Sequence, residues 1–252
     1  MKRIINISGI LLITILLGLP IKLHAQLPSG DEILEKIDMN MSSNTQILTS
    51  KMVIHGRRGS RTVVSKSWSE GESRTFSEYL SPAREKGTKM LKLEDKLWIY
   101  SPSTDRTIRI SGHMLRQSVM GSDLSYEDMM EDSRLRNKYK ASVTTSEVID
   151  DRECWIVELT ATADDVAYHR MKLWVDKERW VPLKEELSAK SGKLLKKLEL
   201  KDVTNLQGRW FPKRMIFKDM LKKGKGTEFI IEEIEFDKDI PQHIFSKASL
   251  RK

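Results

Sequence analysis

The sequence predicts a mainly β protein of the sandwich or barrel class. About a dozen short runs rich in β-branched and aromatic residues recur at a spacing of roughly 8–12 residues, separated by turn residues. The stretch from Lys89 to Ile110 contains three such runs joined by two tight turns, which is typical of an antiparallel meander. Helical periodicity is confined to a few short segments, so one sheet-based domain is the simplest organisation.

Residues 1–25 have the pattern of a cleaved secretory signal. Two basic residues precede an apolar run from Ile4 to Leu19, and Ala25 supplies the small residue before the cut. A signal anchor is the alternative, but Pro20 and the shortness of the apolar run argue against it. We therefore expect export of a single domain that spans residues 26–252.

The chain is basic, with 44 Lys and Arg against 36 Asp and Glu and a formal charge of +8. Such a charge allows a nucleic-acid partner, but predicted export and the scattered positions of the lysines argue for no nucleic acid. Docking to an anionic membrane surface or to an acidic partner stays open. Cys154 is the single cysteine, which excludes an intramolecular disulfide, and its apolar neighbours predict a buried strand residue.

An amphipathic helix is predicted at the start of the domain, from Asp31 to Met41. Apolar residues recur there at helical spacing, and Ser29 or Asp31 is a suitable N-cap. Six strands are then predicted: Thr45–His55, Arg61–Ser69, Ser73–Leu80, Thr88–Leu93, Leu97–Tyr100 and Arg106–Ile110.

The region from Ser111 to Lys138 interrupts the strand pattern. It lacks alternation and contains several methionines, which predicts one or two short helices or a mobile loop. A brief closing helix is predicted from Pro241 to Leu250. Between these two segments lie seven further predicted strands: Ser142–Ile149, Glu153–Thr160, Tyr168–Val175, Pro182–Ser188, Lys193–Val203, Trp210–Lys218 and Thr227–Phe236.

The strand from Leu97 to Tyr100 is apolar on both of its faces. A strand covered on only one face alternates apolar and polar residues, so we expect a cover on each side of this one. Most other strands do alternate, which predicts a curved sheet with one apolar face. The few available helices do not fill the concave side of such a sheet, and this leaves room for a ligand.

Several segments together resemble the LolA/LolB-like family, in its outer membrane lipoprotein-sorting protein branch. They are the signal sequence, the opening helix, the LWIYSP run from Leu97 to Pro102, and the GSDLSYED run from Gly121 to Asp128. Two strand pairs, Arg170–Asp176 and Trp180–Pro182, add weaker support. The resemblance spans essentially all of residues 26–252.

The resemblance implies an unclosed antiparallel half-barrel of about 11 strands, with short helices capping the concave face. It also implies a periplasmic carrier that holds the acyl chains of lipoproteins or lipids in a hydrophobic cavity. An inner-membrane exporter of the RND or ABC type and an outer-membrane acceptor are the implied partners. The arginine that latches the lid in this family has three candidates here, Arg116, Arg134 and Arg136.

We interpret Ser111–Met130 as a lid over an acyl-chain cavity, because flexible methionine side chains suit variable alkyl chains. The alternatives are that these methionines only fill the core, and that Trp98 and Tyr100 pack under the rim instead of lining the cavity. The candidate cavity and lid residues are Leu97, Trp98, Ile99, Tyr100, Ile108, Met114, Leu115, Val119, Met120, Met129, Met130, Trp155, Met171 and Leu173.

No arrangement of residues predicts an enzyme, a cofactor or a metal site. The histidines are scattered, no His or Cys pair has ligand spacing, and the run at Ser122 lacks the flanking pattern of a nucleophile elbow. A second hypothesis, from a different class, is an envelope sensor or accessory subunit that uses the same fold to bind a protein partner.

Overall fold

The computed structural model describes residues 27–56, 59–131 and 134–251. The predicted signal at residues 1–25 lies outside them. In the described part of the chain, one antiparallel sheet contains thirteen strands. They are β1 Thr45–Gly56, β2 Gly59–Glu70, β3 Arg74–Ser81, β4 Lys89–Leu93, β5 Lys96–Ser101, β6 Arg106–Ile110, β7 Tyr139–Ile149, β8 Arg152–Ala161, β9 Arg170–Asp176, β10 Pro182–Ser188, β11 Leu194–Leu206, β12 Arg209–Asp219 and β13 Gly226–Phe236.

The sheet is an unclosed half-barrel. Its strand order is β6-β5-β4-β3-β2-β1-β13-β12-β11-β10-β9-β8-β7, so that β6 and β7 form its two edges. The predicted fold class is thus confirmed, with thirteen strands in place of about 11. Each predicted run became a strand, because most neighbours are joined by short turns and pair as hairpins.

The opening helix, α1, spans Gly30–Met41 and covers one end of the concave face. Ser29 is its N-cap, with its side chain accepting a hydrogen bond of 3.1 Å from the Glu32 backbone N–H. The apolar stripe of α1 is buried against β7 to β10, in a cluster with Val157, Leu159 and Leu173. No helix of the described residues is long and apolar enough to cross a membrane.

The segment that connects β6 to β7 covers the other end of the concave face. It forms short 3₁₀ turns at Gly112–Arg116, Val119–Gly121 and Leu135–Asn137, and one helical turn, α2, at Tyr126–Met130. Its apolar side chains pack on the inner face of β1 to β6. We call residues 111–131 the lid segment.

The end of the chain covers part of the convex face. Two 3₁₀ turns, Gln242–Phe245 and Lys247–Arg251, place Phe245 and Leu250 over a cross-strand row of apolar residues. Trp98 belongs to that row, whereas Leu97 and Ile99 pack under the lid segment on the other face. The predicted cover on both sides of β5 is therefore confirmed.

Candidate functional site

The concave face has a cavity of about 360 Å³ between α1 and the lid segment. Its floor is formed by β9 to β12, between the places where α1 and the lid segment contact the sheet. Most of its wall is apolar. The apolar and aromatic lining residues are Ile37, Met41, Leu135, Tyr139, Tyr168, Met171, Pro182, Leu187, Leu198, Met215 and Phe217.

Two lining residues join the lid segment to the floor of the cavity. Asp128 of α2 is ion-paired with Lys196 of β11, and the lysine is only 6% exposed. The Tyr168 hydroxyl donates a hydrogen bond to the same carboxylate. Burial and the negative charge of Asp128 both raise the pKa of Tyr168, so this phenol stays a hydrogen-bond donor.

Glu131, at the end of α2, makes a second connection between the lid segment and the sheet. Its carboxylate accepts a hydrogen bond of 2.9 Å from the backbone N–H of Ala167 and pairs with Lys138 at 3.2 Å. Asp128 and Glu131 are therefore both engaged with donors of the protein.

Glu185 is the remaining charged residue of the wall. It lies on β10 between Leu173 and Leu198 of the neighbouring strands and lines the cavity. In the described part of the chain, its carboxylate makes no hydrogen bond or ion pair. Burial in this apolar wall raises the pKa of Glu185 to about 7.

The lid segment is also fastened at its other end, near the loop between β12 and β13. The Asp123 carboxylate accepts hydrogen bonds from the Thr227 hydroxyl at 2.8 Å and from the Asp219 backbone N–H at 3.0 Å. Lys222 donates to the Ser122 carbonyl at 2.6 Å. Arg61 of β2 donates to the Met120 carbonyl.

A smaller cavity of about 180 Å³ also lies beside the end of α2, where Met129 and Glu131 line it. It shares Met41 and Glu131 with the larger cavity, and polar residues such as Gln46 and Thr75 form much of its wall. The gap between α1 and the lid segment is thus apolar at one end and polar at the other.

The sequence model of a family of uncharacterized proteins matches residues 71–252, which is more than half of the chain. A LolA superfamily protein from Nitrosomonas europaea is 26% identical, with a TM-score of 0.73 over 88% of this chain and 100% of that one. The chain belongs to the LolA/LolB-like family.

Two further solved structures share this LolA-like fold. An outer membrane lipoprotein-sorting protein domain from Vibrio parahaemolyticus is 23% identical, with a TM-score of 0.76 over 88% of this chain and 98% of that one. A DUF1329 family protein from Desulfovibrio piger is 24% identical, with a TM-score of 0.79 over 88% of this chain and 97% of that one. No curated protein matches the sequence.

The LolA-like structure separates the predicted site residues into groups. Met171 lines the cavity, and Leu173 and Trp155 belong to the cluster under and around α1. Val119 is fully buried in the lid segment. The others that face the concave side pack together between the lid segment and β4 to β6: Leu97, Ile99, Met114, Leu115, Met120, Met129 and Met130.

Three predicted residues lie away from the cavity. Trp98 and Tyr100 pack with the convex cluster under the end of the chain, since alternate residues of β5 point to opposite faces. Ile108 lies on the edge strand β6 and is 47% exposed. The prediction that these three line a cavity is therefore wrong.

Sequence reasoning missed most of the cavity wall. Its floor residues come from strands whose alternation was visible, but nothing in the sequence showed which strands the covers leave open. Basic residues that contact the lid segment include Arg61, Lys196 and Lys222, none of which was a candidate latch arginine. Arg136 instead approaches Glu35 of α1, at 3.8 Å with both side chains exposed.

Proposed function

We propose that this protein is a carrier that binds the acyl chains of a lipoprotein or lipid in its concave cavity. The observation that supports this is the largely apolar cavity of about 360 Å³ between α1 and the lid segment. Such a volume falls within the range of about 300–1,000 Å³ that is usual for small-molecule sites. The similarity to a solved outer membrane lipoprotein-sorting protein domain supports the same proposal.

The binding energy comes from burying alkyl groups. Each buried methylene contributes about 0.8 kcal/mol, so a chain of a dozen methylenes gains roughly 10 kcal/mol before the costs of ordering it. No catalytic chemistry is needed for capture or release, and we assign no catalytic residue.

Release requires the cavity to open, and two properties of the lid segment suit such an opening. A few polar contacts fasten it, among them the pair between Asp128 and Lys196 and the bonds of Asp123. Its underside is rich in methionine, which repacks at low cost when a chain enters or leaves. Loss of these polar contacts together with repacking of the apolar underside would therefore let the segment move.

The carrier is proposed to work in the periplasm after removal of residues 1–25. An inner-membrane exporter of the RND or ABC type would load it, and an outer-membrane acceptor would unload it. A protein-sensing role for the same fold is the competing hypothesis, and cargo measurements separate the two.

Contact with a membrane is proposed to occur through one rim of the sheet. The loop 220–225 between β12 and β13 carries three exposed or partly exposed lysines, beside the exposed Met220 and Leu221. Loop 189–193, with two more lysines, lies next to it, since the Met220 backbone N–H donates to the Leu195 carbonyl at 2.9 Å. We call these two loops the basic rim. Lysines around apolar side chains suit an anionic lipid surface.

The first experiment is gentle purification of the mature protein from its native periplasm, followed by organic extraction and mass spectrometry. We expect a stoichiometric acyl-bearing species. An empty protein that also fails to bind fluorescent fatty-acyl probes would contradict the carrier function and favour the partner-binding hypothesis.

A cavity-filling variant tests the site itself. Leu198→Trp places an indole in the cavity, and we expect it to weaken the binding of a fluorescent acyl probe at least about tenfold without unfolding the sheet. Lys197→Trp adds the same side chain on the convex face of β11 and is the matched control. Equal probe affinities for the two variants would argue against this cavity as the site.

A further inference from the structure

Glu185 is an unusual component of an acyl-chain cavity. It projects from the floor, with Leu173 and Leu198 directly beside it on the neighbouring strands. A leucine at this position would match its surroundings and would cost nothing to bury. The half-buried carboxyl group in this place loses part of its hydration, and that loss is costly unless a hydrogen-bond donor replaces the water.

The protein itself offers Glu185 no such donor within the described ranges. Among the described lining residues Lys196 is the one cation, and Asp128 already engages it. Burial raises the pKa of Tyr139 of β7, and the negative charges of Glu131 and Glu185 raise it further. The Tyr139 hydroxyl donates instead to the Tyr168 carbonyl at 2.8 Å.

The charges of the wall favour one kind of ligand head. Among the described lining residues, the carboxyl groups of Asp128, Glu131 and Glu185 face the cavity with the ammonium group of Lys196, and Glu131 is also paired with Lys138 outside the wall. An anionic head would meet an excess of negative charge and the acceptor oxygens of Glu185, which have no donor among the described residues. A head with N–H donors and a positive charge would satisfy them.

We propose that Glu185 is a specificity residue that selects acyl-chain amphiphiles bearing an ammonium group near the chain, and that disfavours free fatty acids. This inference rests on the proposed function, because it assumes that the alkyl chain occupies the cavity. The pKa of Glu185, about 7, means that an approaching ammonium also draws the carboxyl toward its charged form.

The test is isothermal titration calorimetry at pH 8 with three probes of equal chain length, kept below their micelle concentrations. They are dodecylammonium, dodecanol and dodecanoate. For the unmodified protein we expect dodecylammonium to bind at least about tenfold more tightly than dodecanoate, with dodecanol between them. In Glu185→Gln this preference should fall to less than about threefold.

Glu186→Gln is the matched control, because the neighbouring carboxylate lies on the convex face and pairs with Lys197 at 3.0 Å. It should keep the full preference. Glu185→Met serves as a second variant, checked by circular dichroism, should the glutamine disturb folding.

The outcomes separate the two proposals. Failure of all three probes to bind the unmodified protein would overturn the carrier function. Binding of all three with equal affinity would overturn only the role of Glu185, as would an ammonium preference that survives in Glu185→Gln.

Discussion

The contact between Asp128 and Lys196 shows how single residues hold the lid segment. Asp128 closes the first turn of α2 in a capping box with Ser125, and the same carboxylate reaches Lys196 and Tyr168. One side chain therefore shapes the helix of the lid segment and ties it to the sheet. Because Lys196 is buried, the loss of either partner leaves a charge without compensation.

We expect Lys196→Ala to destabilise the protein by about 3 kcal/mol, the range found when one member of a buried ion pair is removed. Lys197→Ala removes an adjacent lysine that pairs with Glu186 and whose side chain is 39% exposed. This substitution should destabilise the protein by less than about 1 kcal/mol. Urea unfolding of both variants measures the difference. Similar losses for the two lysines would show that the buried pair does not fasten the lid segment.

Glu185 makes the stability of the empty protein depend on pH. Its pKa is raised by burial from 4.5 to about 7, so the folded state holds this proton more tightly than the unfolded chain. Stability from this group is complete below pH 4.5 and is lost as the pH rises through about 7. Glu185→Gln should therefore raise the free energy of unfolding at pH 8, by on the order of 2–3 kcal/mol, and change it little at pH 4.

Chemical denaturation at the two pH values measures this effect. Glu186→Gln, on the other face of β10, should show no such gain at pH 8. An identical pH response for Glu185→Gln and the unmodified protein would mean that Glu185 is well solvated.

Residue-level contacts of this kind could not be predicted from the sequence. Asp128 and Lys196 are 68 residues apart, and neither lies in a spacing pattern that indicates pairing. The Gly121–Asp128 run was recognised as a family motif, but its physical role became visible only when Thr227 and Lys196 were placed opposite it.

At the level of elements, α1 depends on a close approach to β7. A Cβ atom on Gly30 would lie 2.1 Å from the Ala141 carbonyl oxygen, a backbone atom that cannot turn aside. We expect Gly30→Ala to cost about 1–3 kcal/mol as the helix shifts off the sheet. Met39→Ala changes an exposed residue of the same helix and should stay within about 0.5 kcal/mol.

Thermal unfolding followed by circular dichroism compares these two variants. Because α1 forms one wall of the cavity through Ile37 and Met41, Gly30→Ala should also weaken acyl-probe binding. A Gly30→Ala protein that matches the unmodified one in both assays would show that the helix start has room to move.

Elements were the level at which the sequence was most informative. Alternation, apolar runs and turn residues together located the thirteen strands, and the doubly apolar β5 correctly indicated covers on two sides. Alternation separates the two faces of a strand but does not say which face is concave. For this reason the sequence left open whether Trp98 and Tyr100 line the cavity or pack elsewhere, and the structure places both in the convex cluster.

For the whole molecule, the two rims of the sheet differ in charge. In an antiparallel sheet alternate turns lie at opposite ends, so the basic rim is opposed by the turns 71–73, 94–95 and 150–151. Those three turns contain five acidic residues and no basic one: Glu72, Glu94, Asp95, Asp150 and Asp151. A fourth turn of the same rim, 177–181, contains Lys177, Glu178 and Arg179. The overall charge of +8 is therefore unevenly distributed, and an anionic surface would orient the molecule with its basic rim toward it.

This orientation brings the cavity close to the membrane, since Phe217 and Lys196 line the cavity near the start of the basic rim. We expect a variant with Lys223→Glu and Lys225→Glu to lose binding to phosphatidylglycerol-containing vesicles by at least about tenfold, because each lysine near such a surface contributes about 1 kcal/mol. Leu221→Ser should weaken the binding further by removing the apolar contact. Co-sedimentation at two salt concentrations measures both effects, and higher salt should reduce the binding of the unmodified protein.

The control with Lys96→Glu and Lys238→Glu has the same net charge but alters exposed residues of the opposite rim. An equal loss in this control would assign the binding to net charge alone and would remove the basic rim as the docking surface.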